Sequence, residues 1–428
     1  MNIAIIGAGF TGLSAAYELS KQGHTVTVFE KDAHPGGLAI GYKEKHWEWT
    51  VEKHYHHWFT NDNFVLDLAK EIGYKVEIKT PTSSFYIDGA PYKFDSPMAI
   101  LAFPKLPMLD KVRMAAVFAL LFRLNPLWKP LEKYKVAEFL PKLIGNKAYT
   151  MLWKPQLVNK MGKHADKISL VWFWARVKKR TTSLAYPARG FLPFAEALVS
   201  AIEKKGGKVL FEKEVIEITD KKQTTVAYKG TNNRKKVESF DKIIFTLPSF
   251  LFLKITPQLP SKYKSSLVRL QGLSATNMLL RFKKPFFPDN TYWLSICDMN
   301  APIMAIIEHT NFMNKKHYAN EHLVYVGNYA FTDDKLTIAK EDLLKQYDSY
   351  LKRINPSYKK NLIGFELFKA PFAQPIVPAN YSKIIPAMTT PLKNVVLANI
   401  EQVYPWDRGT NYAVELGQKA AAMIHHKD

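Results

Sequence analysis

From His46 to Asn61 the chain reads HWEWTVEKHYHHWFTN, which packs four histidines, three tryptophans, a tyrosine and a phenylalanine into sixteen residues. Imidazoles this close together can ligate a metal, donate to substrate oxygens or move protons near neutral pH. On a strand, His54 and His56 would share one face. No carboxylate at ligand spacing completes a pattern such as H-E-x-x-H, so no metal site is expected. Two readings remain, an aromatic cluster without chemistry and one wall of a pocket whose main occupant is bound elsewhere. On the second reading His54, His56 and His57 are the candidate catalytic residues.

A second pattern supplies that occupant. Gly7-Ala8-Gly9-Phe10-Thr11-Gly12 follows the apolar run NIAII and opens a helical pattern, and the next strand, TVTVFE, ends in Glu30. In a strand–turn–helix–strand unit, the first glycine permits the tight turn, the second lets backbone approach a pyrophosphate, and the third lets helix pack on strand. The helix N-terminus then faces negative charge, and Glu30 accepts from ribose hydroxyls. An acid at this position argues against a 2′-phosphate. Gly36-Gly37, six residues past Glu30, suits a backbone passing close under a longer dinucleotide, which favours FAD over NAD. Lys31 and Leu38 flank these positions and join the candidate cofactor contacts.

The elements that position these residues follow from the pattern. Strands are expected at 2–6, 25–30, 208–218, 224–228, 242–247, 276–282 and 394–398, with helices at 13–22, 194–205, 341–353 and 412–425. The expected class is α/β. A Rossmann-like FAD-binding domain in three pieces (1–80, 186–260, 386–428) would carry an inserted mixed α+β substrate domain (81–185, 261–385). With 428 residues the chain exceeds one comfortable core, and 47% hydrophobic with 23% charged residues excludes a disordered protein. One cysteine, Cys297, excludes an internal disulfide and fits a cytoplasmic location.

The net charge of +22 comes as short scattered basic pairs and triplets with no nucleic-acid motif, so no nucleic-acid partner is expected. The apolar run Met114–Phe122 falls far short of the ~20 residues needed to span a bilayer. It reads as an internal helix packed on the core. Its apolar neighbours at 98–104 and 127–128 leave open a peripheral contact with an anionic membrane. Oligomeric state is left open.

The opening AGFTGLSAAYEL followed by VFEK and Gly36-Gly37 resembles the FAD-binding start of the flavin amine oxidase superfamily. That group includes amine oxidases, protoporphyrinogen oxidases, carotenoid desaturases and, more distantly, UDP-galactopyranose mutases. The segment Tyr186–Phe191 with the strand after it is similar to the family's central FAD segment, which implies backbone contacts from Val215 to the adenine. The stretch LANIEQVYPWDRGTNYAVELGQKAA (397–421) is similar to the family's C-terminal motif. It implies that Glu401 contacts the ribityl and pyrophosphate portion, and that Thr410, Asn411 and Tyr412 lie at a helix N-terminus under the flavin pyrimidine ring. There a helix dipole would stabilise the anion of reduced flavin.

The departures from the family concern chemistry. Asn399 replaces a glycine, Asn277 stands where amine oxidases keep a lysine that supports reaction with oxygen, and Trp406 alone remains of an aromatic cage. No cysteine lies in the C-terminal motif, so the FAD would be non-covalent. The mutases carry G-P-H-x-x-H-T-N at a similar place. His54 and His57 keep the H-x-x-H spacing, while Trp58 and Phe59 are extra before Thr60-Asn61. The resemblance implies an FAD-dependent oxidoreductase that transfers hydride from a bulky or partly apolar small molecule to flavin N5. The alternative is a non-redox flavoenzyme that rearranges a nucleotide sugar.

Overall fold

The computed structural model describes residues 1–330 and 334–425. Positions 331–333 of the expected inserted domain, and the last three residues of the C-terminal piece, lie outside them. The apolar run Asn2–Ile6 forms the central strand of a parallel sheet and is buried from Ile3 onward. Thr25–Phe29 and then Lys208–Leu210 lie on one side of it, Lys242–Phe245 and then Val395–Leu397 on the other. Short apolar strands covered on both faces are what a parallel sheet requires.

Phe10–Lys21 and Thr410–His425 are the helices that matter most for the site. They cross where a side chain cannot fit: a Cβ on Gly417 would stand 2.3 Å from the Thr11 carbonyl oxygen. Ser14 Oγ adds a hydrogen bond of 3.0 Å to the Val414 carbonyl. The C-terminal helix is thereby locked against the N-terminal one, although about 400 residues separate them in sequence.

A second, seven-stranded sheet is mixed and draws its strands from 82–93, 272–308, 322–330 and 362–375. All its neighbouring strands are antiparallel except the pair Thr82–Ile87 with Thr291–Ile296. The segment from Pro97 to Lys179 is largely helical, and its Phe122, Leu140, Leu152 and Trp174 share a core with mixed-sheet residues such as Phe85 and Leu273.

Two expectations need correction. The run 208–218 is not one strand: Lys208–Leu210 belongs to the parallel sheet, and Glu214–Asp220 to a separate three-stranded antiparallel sheet. The break at 211–213 lets Glu30 bond both ways, its N–H to Leu210 O at 2.9 Å and its carbonyl to Lys213 N at 2.8 Å. The run Met114–Phe122 buries only one face. Met114 and Phe122 point into the core, while Leu120 is 66% exposed. Among the described residues, no helix is long and apolar enough to cross a membrane.

Candidate active site

The glycine turn is shaped for close approach. Gly7 has φ of +103°, and a Cβ on Gly12 would fall 2.0 Å from the Gly7 carbonyl oxygen, so neither position accepts a side chain. Gly9 faces Gly37, and a Cβ on Gly37 would come 3.1 Å from the Gly9 Cα. The two bare backbones form a cradle that any side chain would fill, as a pyrophosphate lying across a helix N-terminus demands. Gly36 N–H donates to the Ala8 carbonyl at 2.9 Å and sets the spacing between the two strands of the cradle.

Glu30 is buried and braces the turn. Its carboxylate accepts from Ala8 N–H at 2.8 Å and Asp32 N–H at 2.9 Å. Burial raises its pKa and these bonds oppose the rise. A carboxylate has about four acceptor sites, so two remain for hydroxyl donors. Lys31 is exposed, and Val215 sits at a bulge at the start of its strand, close in sequence to the Lys213–Glu30 bond. Phe10 keeps its side chain turned away from the glycine cradle. Its ring is buried, stacked on Phe194 at 5.5 Å and edge-on to Phe191, so only its backbone is left for a ligand.

At the C-terminal motif, Glu401 is buried against Ser249, accepting from its N–H at 3.1 Å and its hydroxyl at 2.6 Å. Asn399 accepts from Glu401 N–H at 3.2 Å, which explains an asparagine in place of glycine. The side chains of Thr410 and Asn411 serve the protein: Thr410 Oγ1 accepts from Trp58 Nε1 at 2.6 Å, and Asn411 Oδ1 from Val65 N–H at 3.2 Å. What remains for a ligand is their backbone N–H groups in the first helical turn. The Tyr412 hydroxyl is buried without a hydrogen bond. Trp406 lies between Trp174 and Tyr412, with centroids 5.2 and 5.7 Å away.

The histidine stretch divides. His46 turns away, 2.8 Å from Glu321, and Trp49 stacks on His317 at 3.8 Å. Val51–Glu52 and Trp58–Phe59 are short strands, and His54–His57 form the loop between them rather than a strand. Asn277 Nδ2 donates to His54 Nδ1 at 2.6 Å, which leaves the His54 proton on Nε2. His56 Nδ1 donates to the His54 carbonyl, which leaves its Nε2 as an acceptor. His57 Nδ1 shares a 3.1 Å bond with the Tyr292 hydroxyl.

All three imidazoles are held neutral. Burial lowers His54 to about 3, helped by His56 and Arg408, and lowers His56 to about 4, helped by Arg408. His57 falls to about 3 through burial first, then Arg180, His56 and Arg176. The rings keep part of their surface open, yet protein surrounds them closely enough for desolvation to dominate. Charging one of them near neutral pH is therefore costly in this arrangement.

His54, Tyr55 and His56 line a narrow cleft with Leu38, Ala275, Asn277, Asn328, Tyr329, Ala373 and Arg408. Leu38 comes from the glycine-pair segment and Arg408 from the C-terminal motif; 275–277, 328–329 and 373 come from the mixed sheet. The cleft thus lies where the two sheets meet. A larger cavity of about 710 Å³ opens elsewhere, lined in part by Asp88, Lys147, Cys297 and Arg353. It contains none of the residues that carry the sequence argument, so the narrow cleft is the better candidate. Among the described residues, no group of three His, Cys, Asp or Glu side chains is placed to hold a metal ion.

Sequence reasoning missed Asn328, Tyr329 and Arg408 in this wall, and Glu52 behind it. The available signal was Asp407-Arg408, a charged pair inside the otherwise aromatic YPWDRGTNY.

Comparison with known proteins bears on the family and the fold. Residues 10–425 match the family model described as flavin containing amine oxidoreductase. Coproporphyrinogen III oxidase of Staphylococcus aureus is 26% identical over 300 residues, covering 61% of this chain and 63% of that protein. The match therefore spans under two thirds of that relative. An oxidoreductase from Methanosarcina mazei superposes with a TM-score of 0.77 at 18% identity, covering 100% of both chains. Reduced UDP-galactopyranose mutase gives a TM-score of 0.77 at 15% identity, covering 99% of this chain and 95% of that one. At such identities the two structures show the fold alone. With the family model matched over nearly its whole length, the chain belongs to the flavin containing amine oxidoreductase family, whose members are FAD-dependent oxidoreductases.

Proposed function

We propose that the chain oxidises a bulky or partly apolar small molecule in the cleft at the junction of the two sheets, using non-covalently held FAD. The observation that carries this reading is the cleft itself, where Leu38 and Arg408 from the cofactor side meet His54, His56 and Asn277. On this reading 1–80, 186–260 and 386–428 hold the cofactor, and 81–185 with 261–385 cover the substrate. Gly7, Ala8, Gly9, Phe10, Thr11 and Gly12 take the pyrophosphate through backbone, with Glu30 and Lys31 at the adenosine ribose. Gly36, Gly37 and Leu38 lie under the dinucleotide, Val215 at the adenine, Glu401 by the ribityl chain, and Thr410, Asn411 and Tyr412 at the pyrimidine ring.

Bound FAD supplies a two-electron acceptor at flavin N5. The protein's part is orientation. His54 presents an Nε2–H donor, His56 an Nε2 acceptor, and the neighbouring apolar side chains exclude water. The test is a flavin spectrum on purified protein, identification of the flavin released on denaturation, and anaerobic reduction by polyamines, porphyrinogens, polyisoprenoids and UDP-sugars. A colourless protein that refuses FAD would reject the proposal. Turnover of a UDP-sugar on prereduced enzyme without net flavin oxidation would instead favour the rearrangement reading.

We further propose that the chain is cytoplasmic and contacts anionic membrane peripherally through 98–128. Met98, Met108, Leu109, Val112, Leu120, Leu124 and Leu127 are all exposed there, Leu109 by 76%, with exposed Arg113 and Arg123 beside them. Apolar side chains rimmed by cations suit a lipid interface.

A further inference from the structure

The wall of the cleft around Arg408 holds more positive charge than orienting a neutral substrate requires. Asp407 accepts from Arg176 Nη1 at 2.6 Å, Trp172 Nε1 at 3.1 Å and Gln374 Nε2 at 3.2 Å. Lys160 Nζ stands 3.8 Å from the same carboxylate. Burial would raise the Asp407 pKa, but Lys160, Arg176 and Arg408 outweigh it and keep the group ionised. Burial and Arg176 push Lys160 down while Asp407 pulls it up, so the guanidiniums are the secure charges here.

Arg408 is braced by neutral groups only. Its Nε donates to Gln374 Oε1 at 3.1 Å and its Nη2 to the Tyr329 hydroxyl at 2.5 Å. Among the described residues, neither Arg408 nor Arg180 has a carboxylate within 4.0 Å. Arg180 is nevertheless close enough to act on His57, and Arg176 acts on both His57 and Tyr55. Asp407 is paired with Arg176 and lies near Arg408, while Arg180 acts on Arg176 and His57, so the wall carries positive charge that this one carboxylate does not offset. A guanidinium has five N–H donors, and two of Arg408's are engaged. Its remaining donors belong to a side chain that lines the cleft beside His54 and His56. Uncompensated charge at a partly desolvated wall is costly until an anion arrives.

We propose that the molecule taken by this cleft carries an anionic group, carboxylate or phosphate, which docks on Arg408, with Arg180 and Arg176 completing the positive wall. The proposal rests on the flavin oxidoreductase reading of the same cleft, and its test separates the two. The FAD-loaded enzyme is titrated with pyrophosphate, with succinate, and with potassium chloride at matched ionic strength, following the flavin absorbance. Saturable perturbation by pyrophosphate or succinate but not chloride is expected. The tighter of the two identifies a phosphate or a carboxylate.

In R408Q, with FAD content unchanged, the dissociation constant should rise about 10-fold or more, the loss expected for a charged hydrogen bond. R408K should lie between R408Q and wild type, because a lysine keeps the charge but not the fork. R180Q, at the exposed rim, provides a second reading should R408Q fold poorly, and should weaken binding by a smaller factor. Equal responses to all three salts, or unchanged binding in R408Q and R180Q, would overturn the proposal. Loss of FAD from R408Q and R408K would assign Arg408 to the cofactor and also overturn it. Failure of the wild-type protein to bind FAD at all would instead reject the underlying flavin reading.

Discussion

His54, His56 and His57 look like a proton relay when read as letters, and burial makes them fixed donors and acceptors. With values near 3 to 4, none of them titrates between pH 5 and 9. The rate of anaerobic flavin reduction should therefore show no limb near pH 6.5 that disappears in His56→Gln. Such a limb would show that the imidazole is charged in the working enzyme. Glu52 behaves in the opposite way. It is buried under Phe191 N–H at 2.9 Å and the Tyr186 hydroxyl at 2.9 Å, and burial pushes its carboxyl from 4.5 up to about 8. Between those values the unfolded chain loses this proton and the folded chain keeps it, so stability falls as pH rises. The three histidines work in the other direction, but only below their ordinary 6.5. From about pH 6.5 to 8 the Glu52 contribution should dominate this set, and Glu52→Gln should flatten the fall in Tm measured across that window. A fall of equal slope in the variant would refute the assignment.

At the scale of elements, the site depends on backbones that come unusually close. Gly37→Val would push a branched side chain toward the Gly9 Cα, where a bare Cβ already sits at 3.1 Å, and would also strain a φ of +58°. FAD retention after gel filtration should drop sharply in this variant. Undiminished flavin content would mean the cradle is not where the pyrophosphate lies. The crossing of the N- and C-terminal helices is equally tight. Gly417→Val should destabilise the protein by about 1–3 kcal/mol or more in denaturant titration, because the clash is with backbone that cannot turn aside. Glycines were visible in the sequence at both places. At 7, 9, 12, 36 and 37 their spacing declared a role, whereas Gly417 looked like any small residue in an amphipathic helix. Its partner, the Thr11 carbonyl, lies about 400 positions away.

For the whole molecule, the contrast is between a parallel sheet assembled from strands far apart in sequence and a helical segment that leaves apolar residues in solvent. Leu109, Leu120 and Leu124 are 76%, 66% and 67% exposed. Replacing the three with Ser should abolish flotation with anionic liposomes and leave the flavin spectrum unchanged. Flotation that persists would dismiss the membrane proposal. The sequence carried the apolar run at 114–122 but not its two-sidedness. A helix is buried on one face or on all depending on what packs against it, and composition alone cannot distinguish the two.

The sequence by itself determined the parallel-sheet core, the glycine turn with Glu30, and the C-terminal motif. Each depends on local rules: short apolar strands, glycines at positions where backbone must approach backbone, and a strand–turn–helix order along contiguous residues. Only the tertiary structure decided which parts of HWEWTVEKHYHHWFTN face the cleft, because His46 and Trp49 are claimed by Glu321 and His317 while His54 and His56 are not. It alone brought Lys160, Arg176 and Arg408 together around Asp407 and set the histidines neutral. Charge balance and desolvation are properties of neighbours in space, and here those neighbours lie more than two hundred residues apart.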